Sequence, residues 1–133
     1  MPVMRPTLHD PGLRLFVYGT LLVGGAYSGL IAGLARRPAR TRGRLYRLPA
    51  GYPAMTVDSA AGWVHGELLE ADERRLRLLD TLEGVNEGLY VREPLAISSS
   101  GRAVTAWAYT MTPAQIRQRG GVLIKSGSWR AVT

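Results

Sequence analysis

Cysteine is absent from this 133-residue chain, which excludes disulfide staples, thiolate metal ligands and a cysteine nucleophile. Histidine is scarce: His9 and His65 are the only two, and His9 falls in a proline-spaced N-terminal stretch. No histidine metal cluster and no serine–histidine dyad can be assembled from them, so no metal is expected. No apolar run approaches the roughly 20 residues needed to span a bilayer, and the N-terminus lacks the apolar core of a signal peptide. A soluble protein of the reducing cytoplasm is the expectation. Lysine is nearly missing as well, with Lys125 standing beside sixteen arginines.

What is present begins with size. A chain of 133 residues suits one domain with a single core. Residues 1–12, carrying Pro2, Pro6 and Pro11 among polar neighbours, are expected as a flexible N-terminal arm, and residues 13–133 as the folded domain. The net charge is +7 with a pI near 10.5. Arg36, Arg37, Arg40, Arg42, Arg44 and Arg47 crowd a short stretch that raises nucleic acid as a partner. Only Tyr46 interleaves with them, no RNA-recognition or zinc-finger signature is present, and arginine in place of lysine reads as codon bias. Nucleic acid is therefore not the expected partner.

Strands dominate the expected elements. Leu13 to Tyr18 is mostly large and apolar, as in a strand buried on both faces. Leu30, Ile31 and Leu34, with Tyr27, suit a short helix over 26–34, ended by Arg36-Arg37-Pro38. Alternation then predicts strands over 40–48, 54–57 and 63–70. Leu76, Leu79 and Leu82 repeat on one face of a helix capped by Asp72. Further strands are expected over 89–97, 103–110 and 129–132, with Ser98-Ser99-Ser100-Gly101 as a hairpin turn.

Two stretches carry the chemistry. Phe16-Val17-Tyr18-Gly19-Thr20-Leu21 is a strand running into a turn, where Gly19 can take positive φ and allow main-chain amides to converge on a ligand. The other is Leu79-Asp80-Thr81-Leu82-Glu83-Gly84. Gly84 should stop the helix and leave Glu83 at its C-terminal end. The negative end of the helix dipole disfavours an ionised carboxylate there, and burial would raise its pKa further, which suits a proton acceptor working near neutral pH. Each stretch has a plainer reading, as a strand-ending turn and as an exposed C-cap glutamate. For Asp80, a contact to the following loop outweighs a carboxylate pair with Glu83. For Arg92, an ion pair with that turn outweighs substrate binding. Tyr52, fixed between Gly51 and Pro53, either packs over the turn or touches a ligand. His65 reads as a surface or hydrogen-bonded residue.

Taken together with Tyr90-x-Arg92, these stretches resemble the γ-glutamylcyclotransferase-like superfamily, and most closely its small bacterial AIG2-like members. The resemblance continues through Gly43-Arg44-Leu45-Tyr46, Gly51-Tyr52-Pro53-Ala54, Gly66-Glu67-Leu68, Ala106-Trp107-Ala108-Tyr109 and Ser126-Gly127-Ser128-Trp129. It implies a mixed α+β fold, a small β-barrel of about six or seven strands with two or three short helices. It also implies a substrate-binding loop at Tyr18, Gly19, Thr20 and Leu21, a late pocket tyrosine at Tyr109, and Glu83 as the single acid–base catalyst.

The implied reaction is an intramolecular acyl transfer, formally a lyase-type cyclisation. The α-amine of a γ-glutamyl compound attacks its own γ-carbonyl, releasing 5-oxoproline and a free amine or amino acid, with no cofactor required. The implied partner is a small γ-glutamyl molecule, with no membrane. Two other classes stay open at this stage: a non-catalytic small-molecule-binding member of the same fold, and an arginine-rich nucleic-acid binder.

Overall fold

A computed structural model describes residues 10–19 and 28–129. Seven strands and two α-helices are found among them: β1 (Arg14–Val17), β2 (Arg36–Arg47), β3 (Pro53–Val57), β4 (Trp63–Glu70), α1 (Glu73–Leu82), β5 (Val91–Ser99), β6 (Arg102–Thr110), α2 (Pro113–Gln118) and β7 (Val122–Leu123). The order β2-β4-β1-β6-β5 closes through an antiparallel β2–β5 contact at Arg40 and Ser98, giving a five-stranded barrel. The β1–β6 pair is parallel and the other barrel pairs are antiparallel. Beyond the barrel, the far end of β2 pairs with β3 on one side and β7 on the other. This is the mixed α+β barrel that the sequence leads one to expect.

Why Leu15, Phe16 and Val17 of β1 are all apolar is now clear. Phe16 and Tyr18 join Val64, Leu68, Ile97 and Ala106 in one core cluster, while Leu15 and Val17 join Leu69, Leu76 and Leu79 beneath α1 in the other. A strand pressed between two cores needs large side chains on both faces. On β2 only one face is covered: Ala39, Thr41, Gly43 and Leu45 are buried, and Arg40, Arg42 and Arg44 project outward. The guanidiniums of Arg40 and Arg42 lie 4.0 and 3.7 Å from the Trp63 ring centroid, so part of the arginine cluster packs as cation–π pairs on the barrel wall. β5 and β6 form the expected hairpin, turning through Ser100 and Gly101 with φ of 52° and 75°, the two left-handed residues of a tight turn that matches strand twist.

Several expectations are corrected. Arg36-Arg37-Pro38 does not end a helix but opens β2, and within the described part of the expected 26–34 helix only a single 3-10 turn forms, at Ser28–Ile31. Pro38 fits this position at the outset of the strand, on an exposed register site. Trp129 is not in a strand; residues 130–132 of that expected strand lie outside the described residues. The sequence reading did not anticipate α2 and β7, each too short to impose a period of its own. Of the expected arm, Asp10 to Gly12 are described, and the Gly12 carbonyl accepts a hydrogen bond from Trp107 Nε1 at 3.0 Å. No helix among the described residues is long and apolar enough to cross a membrane.

Candidate active site

One concave site of about 440 Å³ opens between the end of β1, the end of α1 and the turn from Leu48 to Pro53. Its size falls in the range of about 300–1,000 Å³ typical of small-molecule pockets. Tyr18, Gly19, Glu83 and Tyr109 all line it. Residues from three separated stretches of sequence therefore meet in one cavity. Thr20 and Leu21, the other half of the expected loop, lie outside the described residues.

The local chemistry of α1 decides where Glu83 stands. Asp72 caps the helix by accepting the Arg75 amide hydrogen at 2.7 Å, and Leu76 and Leu79 bury its inner face. Gly84, with φ +64°, then takes the left-handed conformation that turns the chain out of the helix. A side chain there would be strained and would also crowd Leu89 Cβ, 3.0 Å from the position a Cβ would occupy. Glu83 becomes the C-cap, its amide still bonded to the Leu79 carbonyl at 2.8 Å. Leu82 does not join the core as the spacing suggests. It is 47% exposed and lines the cavity beside Glu83. Burial lifts the Glu83 pKa to about 7, and no ion pair reaches this carboxylate among the described residues.

Asp80 plays a different part. Both its oxygens are taken by Arg92, with Nε to Oδ1 at 2.7 Å and Nη2 to Oδ2 at 3.1 Å, the bidentate geometry that suits guanidinium and carboxylate. Tyr109 adds its hydroxyl hydrogen to Oδ1 at 2.8 Å. Desolvation and the Asp80 carboxylate push the Tyr109 hydroxyl far above the normal tyrosine range, so it stays protonated. Arg92 also stacks 4.4 Å from the Trp107 centroid. The last turn of α1 is thereby bound to β5 and β6.

Gly19 does not have positive φ. Its lack of a side chain is needed for space: a Cβ there would lie 2.1 Å from Pro53 Cγ. Pro53 is in turn held by Tyr90, whose hydroxyl donates to the Pro53 carbonyl, and Tyr18 donates to the Tyr109 carbonyl. Burial, then Tyr90 and Glu83, raises the Tyr18 pKa well above its ordinary value. The hydroxyls of two buried tyrosines thus tie the ends of β1, β3, β5 and β6 together.

Among the cavity residues that the reading from sequence left without a role are Pro53, Tyr90, Met111 and Arg119. Pro53 and Tyr90 lay inside quoted motifs, but their partnership depends on strand order. Arg119 follows α2, which had no signal. Tyr52 is 48% exposed and lines the cavity, so it does more than cover the turn. His65 lies exposed on β4 and does not line the cavity. Among the described residues no three His, Cys, Asp or Glu side chains gather where they could hold a metal ion.

The family described as gamma-glutamyl cyclotransferase, AIG2-like, matches residues 15–131. A "Putative gamma-glutamylcyclotransferase BH1612" of Halalkalibacterium halodurans is 36% identical over 91 residues, 65% of this chain and 78% of that protein. The crystal structure of YkqA from Bacillus subtilis superposes with a TM-score of 0.70 at 29% identity over 89% of this chain. The chain spans only 39% of YkqA's length. The c4763 protein of uropathogenic E. coli shares the fold, with a TM-score of 0.72 at 20% identity, covering 90% of this chain and 94% of that one. With the family matched across nearly all the chain from β1 onward, this protein belongs to the gamma-glutamyl cyclotransferase, AIG2-like family.

Proposed function

We propose that this protein cyclises a γ-glutamyl compound, with Glu83 as the sole general acid–base group. The observation that carries the reading is a single carboxylate at a helix C-terminus, inside a cavity, with its pKa raised to about 7. A base of that pKa is half ionised near neutrality, so it can both take and return a proton. Glu83 accepts a proton from the α-ammonium of the glutamyl group. The freed amine attacks the γ-carbonyl carbon, forming the ring C–N bond. The departing nitrogen takes that proton from Glu83, and the regenerated carboxylate removes the second proton from the ring nitrogen. Collapse of the tetrahedral adduct then breaks the bond to the departing nitrogen, and Glu83 returns the second proton to the released amine, so the products are 5-oxoproline and the free amine in its ammonium form, with Glu83 ionised again.

The surroundings serve positioning. The close fit of Gly19 on Pro53 lets the chain pass the cavity without a side chain in the way, and Tyr18 and Tyr109 wall it from solvent. Folding the flexible glutamyl chain into attack geometry is worth a large share of the barrier in such ring closures.

The test is Glu83→Gln, assayed for 5-oxoproline release from a panel of γ-glutamyl dipeptides and γ-glutamylamines. The amide keeps the shape and cannot accept the proton, so a loss of at least about 10²-fold in kcat is expected with the fold intact by circular dichroism. Undiminished turnover would remove Glu83 as the base. Binding of the panel by the unaltered protein, seen as thermal stabilisation with no product, would identify a binding protein instead.

A further inference from the structure

Gln115, in the first turn of α2, uses both ends of its carboxamide. Its Oε1 accepts the Thr112 amide hydrogen at 3.1 Å while the Thr112 hydroxyl accepts the Gln115 amide hydrogen at 3.1 Å, the reciprocal pair of a capping box. Its Nε2 has two hydrogens to donate, and it donates to the Gly88 carbonyl at 2.9 Å and to the Leu89 carbonyl at 3.2 Å. The cap needs only the oxygen. The nitrogen serves a different part of the chain.

The carbonyls it reaches belong to the turn that leaves Glu83. From Gly84 the chain folds tightly back, with the Gly84 carbonyl accepting from the Glu87 and Leu89 amides at 3.1 and 3.0 Å, and Gly88 left-handed at φ 74°. Packing holds this turn weakly, since Asn86, Glu87 and Gly88 are exposed and Val85 and Leu89 only partly buried. Among the described residues, the hydrogen bonds it receives from another element are the two from Gln115. α2 itself is anchored by buried Ile116, in the core cluster that contains Leu76, Leu79 and Tyr90. A segment with few buried contacts opens locally unless it is tied to a fixed element. Leu89 lines the same cavity as Glu83, so opening of this turn would admit water beside the carboxylate.

We infer that Gln115 is a positioning residue for Glu83: its carboxamide clips the Gly88 and Leu89 carbonyls to α2 and so holds the turn after the helix end closed against the cavity. What the held carboxylate does there rests on the cyclisation reading; where it is held does not. Burial is what lifts the Glu83 pKa, so release of the clip should lower it. The other ionisable groups lining the cavity among the described residues are Tyr18, Tyr52, Tyr90, Tyr109 and Arg119, and Gln115 is bonded to none of them. Of the charged groups close by, Asp80 and Arg92 are paired with each other and Glu87 lies exposed on the turn itself.

Substitution separates the cap from the clip. Gln115→Glu keeps an oxygen for the Thr112 amide, since glutamate serves a capping box as glutamine does, but has no hydrogen for the Gly88 and Leu89 carbonyls. Thr112→Val removes the cap and leaves the clip. Both should lower Tm by a few degrees. Only Gln115→Glu should lower kcat for 5-oxoproline release at pH 8, by about tenfold, and move the acidic limb of the pH profile about one pH unit lower. A new carboxylate near Glu83 would by itself move that limb higher, so the direction separates lost burial from added charge. Gln115→Met, which is uncharged, should reproduce both effects, and it replaces Gln115→Glu if that variant does not fold. Carbon NMR of the Glu83 carboxyl, identified by its loss in Glu83→Gln, reads the same shift without turnover. A Glu83 titration alike in the unaltered protein, Gln115→Glu and Gln115→Met would overturn the inference, as would an equal fall in kcat in Thr112→Val. A titration that moves as expected in a protein releasing no 5-oxoproline would sink the cyclisation reading while sustaining the role of Gln115.

Discussion

Tyr109 gives its hydroxyl hydrogen to Asp80 Oδ1 at 2.8 Å, three residues before Glu83 on the same helix. That bond and the Arg92 pair determine where α1 ends against the barrel. The acid nearest to Glu83 in sequence is thus consumed in holding the helix, which leaves one carboxylate in the cavity for chemistry.

Asp80→Ala should lower stability and displace Glu83 together. It strips partners from a partly buried guanidinium and a buried hydroxyl, a cost of about 1–3 kcal/mol. Urea unfolding should report that loss, and kcat should fall while the pH dependence of the residual rate persists. A stable variant with full kcat would show that the clamp does not position the helix end.

Activity should follow the ionisation of Glu83. With its pKa near 7 and the ionised form needed to accept a proton, kcat/KM should fall about tenfold for each pH unit below that value. Above pH 8 it should level off until a substrate group titrates. A profile flat down to pH 5 would contradict the role given to Glu83.

The same carboxylate should make the fold less stable as pH rises. Its pKa is higher folded, at about 7, than its ordinary value of 4.5, so between those values the folded state holds more protons than the unfolded state. Stability is therefore fully present below about pH 4.5, declines as pH climbs through 7, and is then constant. Glu83→Gln should escape this decline and exceed the unaltered protein by about 1–3 kcal/mol at pH 8. Chemical denaturation of both proteins at pH 5 and pH 8 measures the difference, and an unaltered gap between the two pH values would reject it.

Gly19→Ala should damage the site through Pro53. The added methyl would lie 2.1 Å from Pro53 Cγ, and Pro53 cannot retreat freely while Tyr90 holds its carbonyl. Overpacking of this kind costs about 1–3 kcal/mol. A lowered Tm and a reduced kcat/KM are both expected, and Tyr90→Phe in the same background should recover part of the stability by freeing the proline.

Much of the outline was legible before any coordinates. The β1 run from Leu15 to Val17 is apolar at every position, and the β5–β6 turn carries its own glycine, so local pattern alone places both. The stop at Gly84 is a backbone requirement written in one residue, and it puts Glu83 at the helix end. Arg36-Arg37-Pro38 misled because proline and arginine resemble a helix terminator locally, whereas pairing with Leu69, Leu68 and Glu67 makes them strand. Leu82 misled because its spacing is that of a core residue, and only the opening of the cavity beneath it leaves it exposed.

The sequence by itself determined that the chain is rich in strands and has no cysteine, with a glycine-ended strand and a carboxylate at a helix C-terminus. Those are properties of single residues and short periods, which local backbone sterics and side-chain patterning enforce. Only the tertiary structure decided that Tyr18, Glu83 and Tyr109 share one cavity, that Asp80 is spent on Arg92 and Tyr109, and that Arg119 reaches the rim. Each of these depends on strand order, and strand order is set by the joint burial of two cores, a condition on the whole chain that no segment of it carries alone.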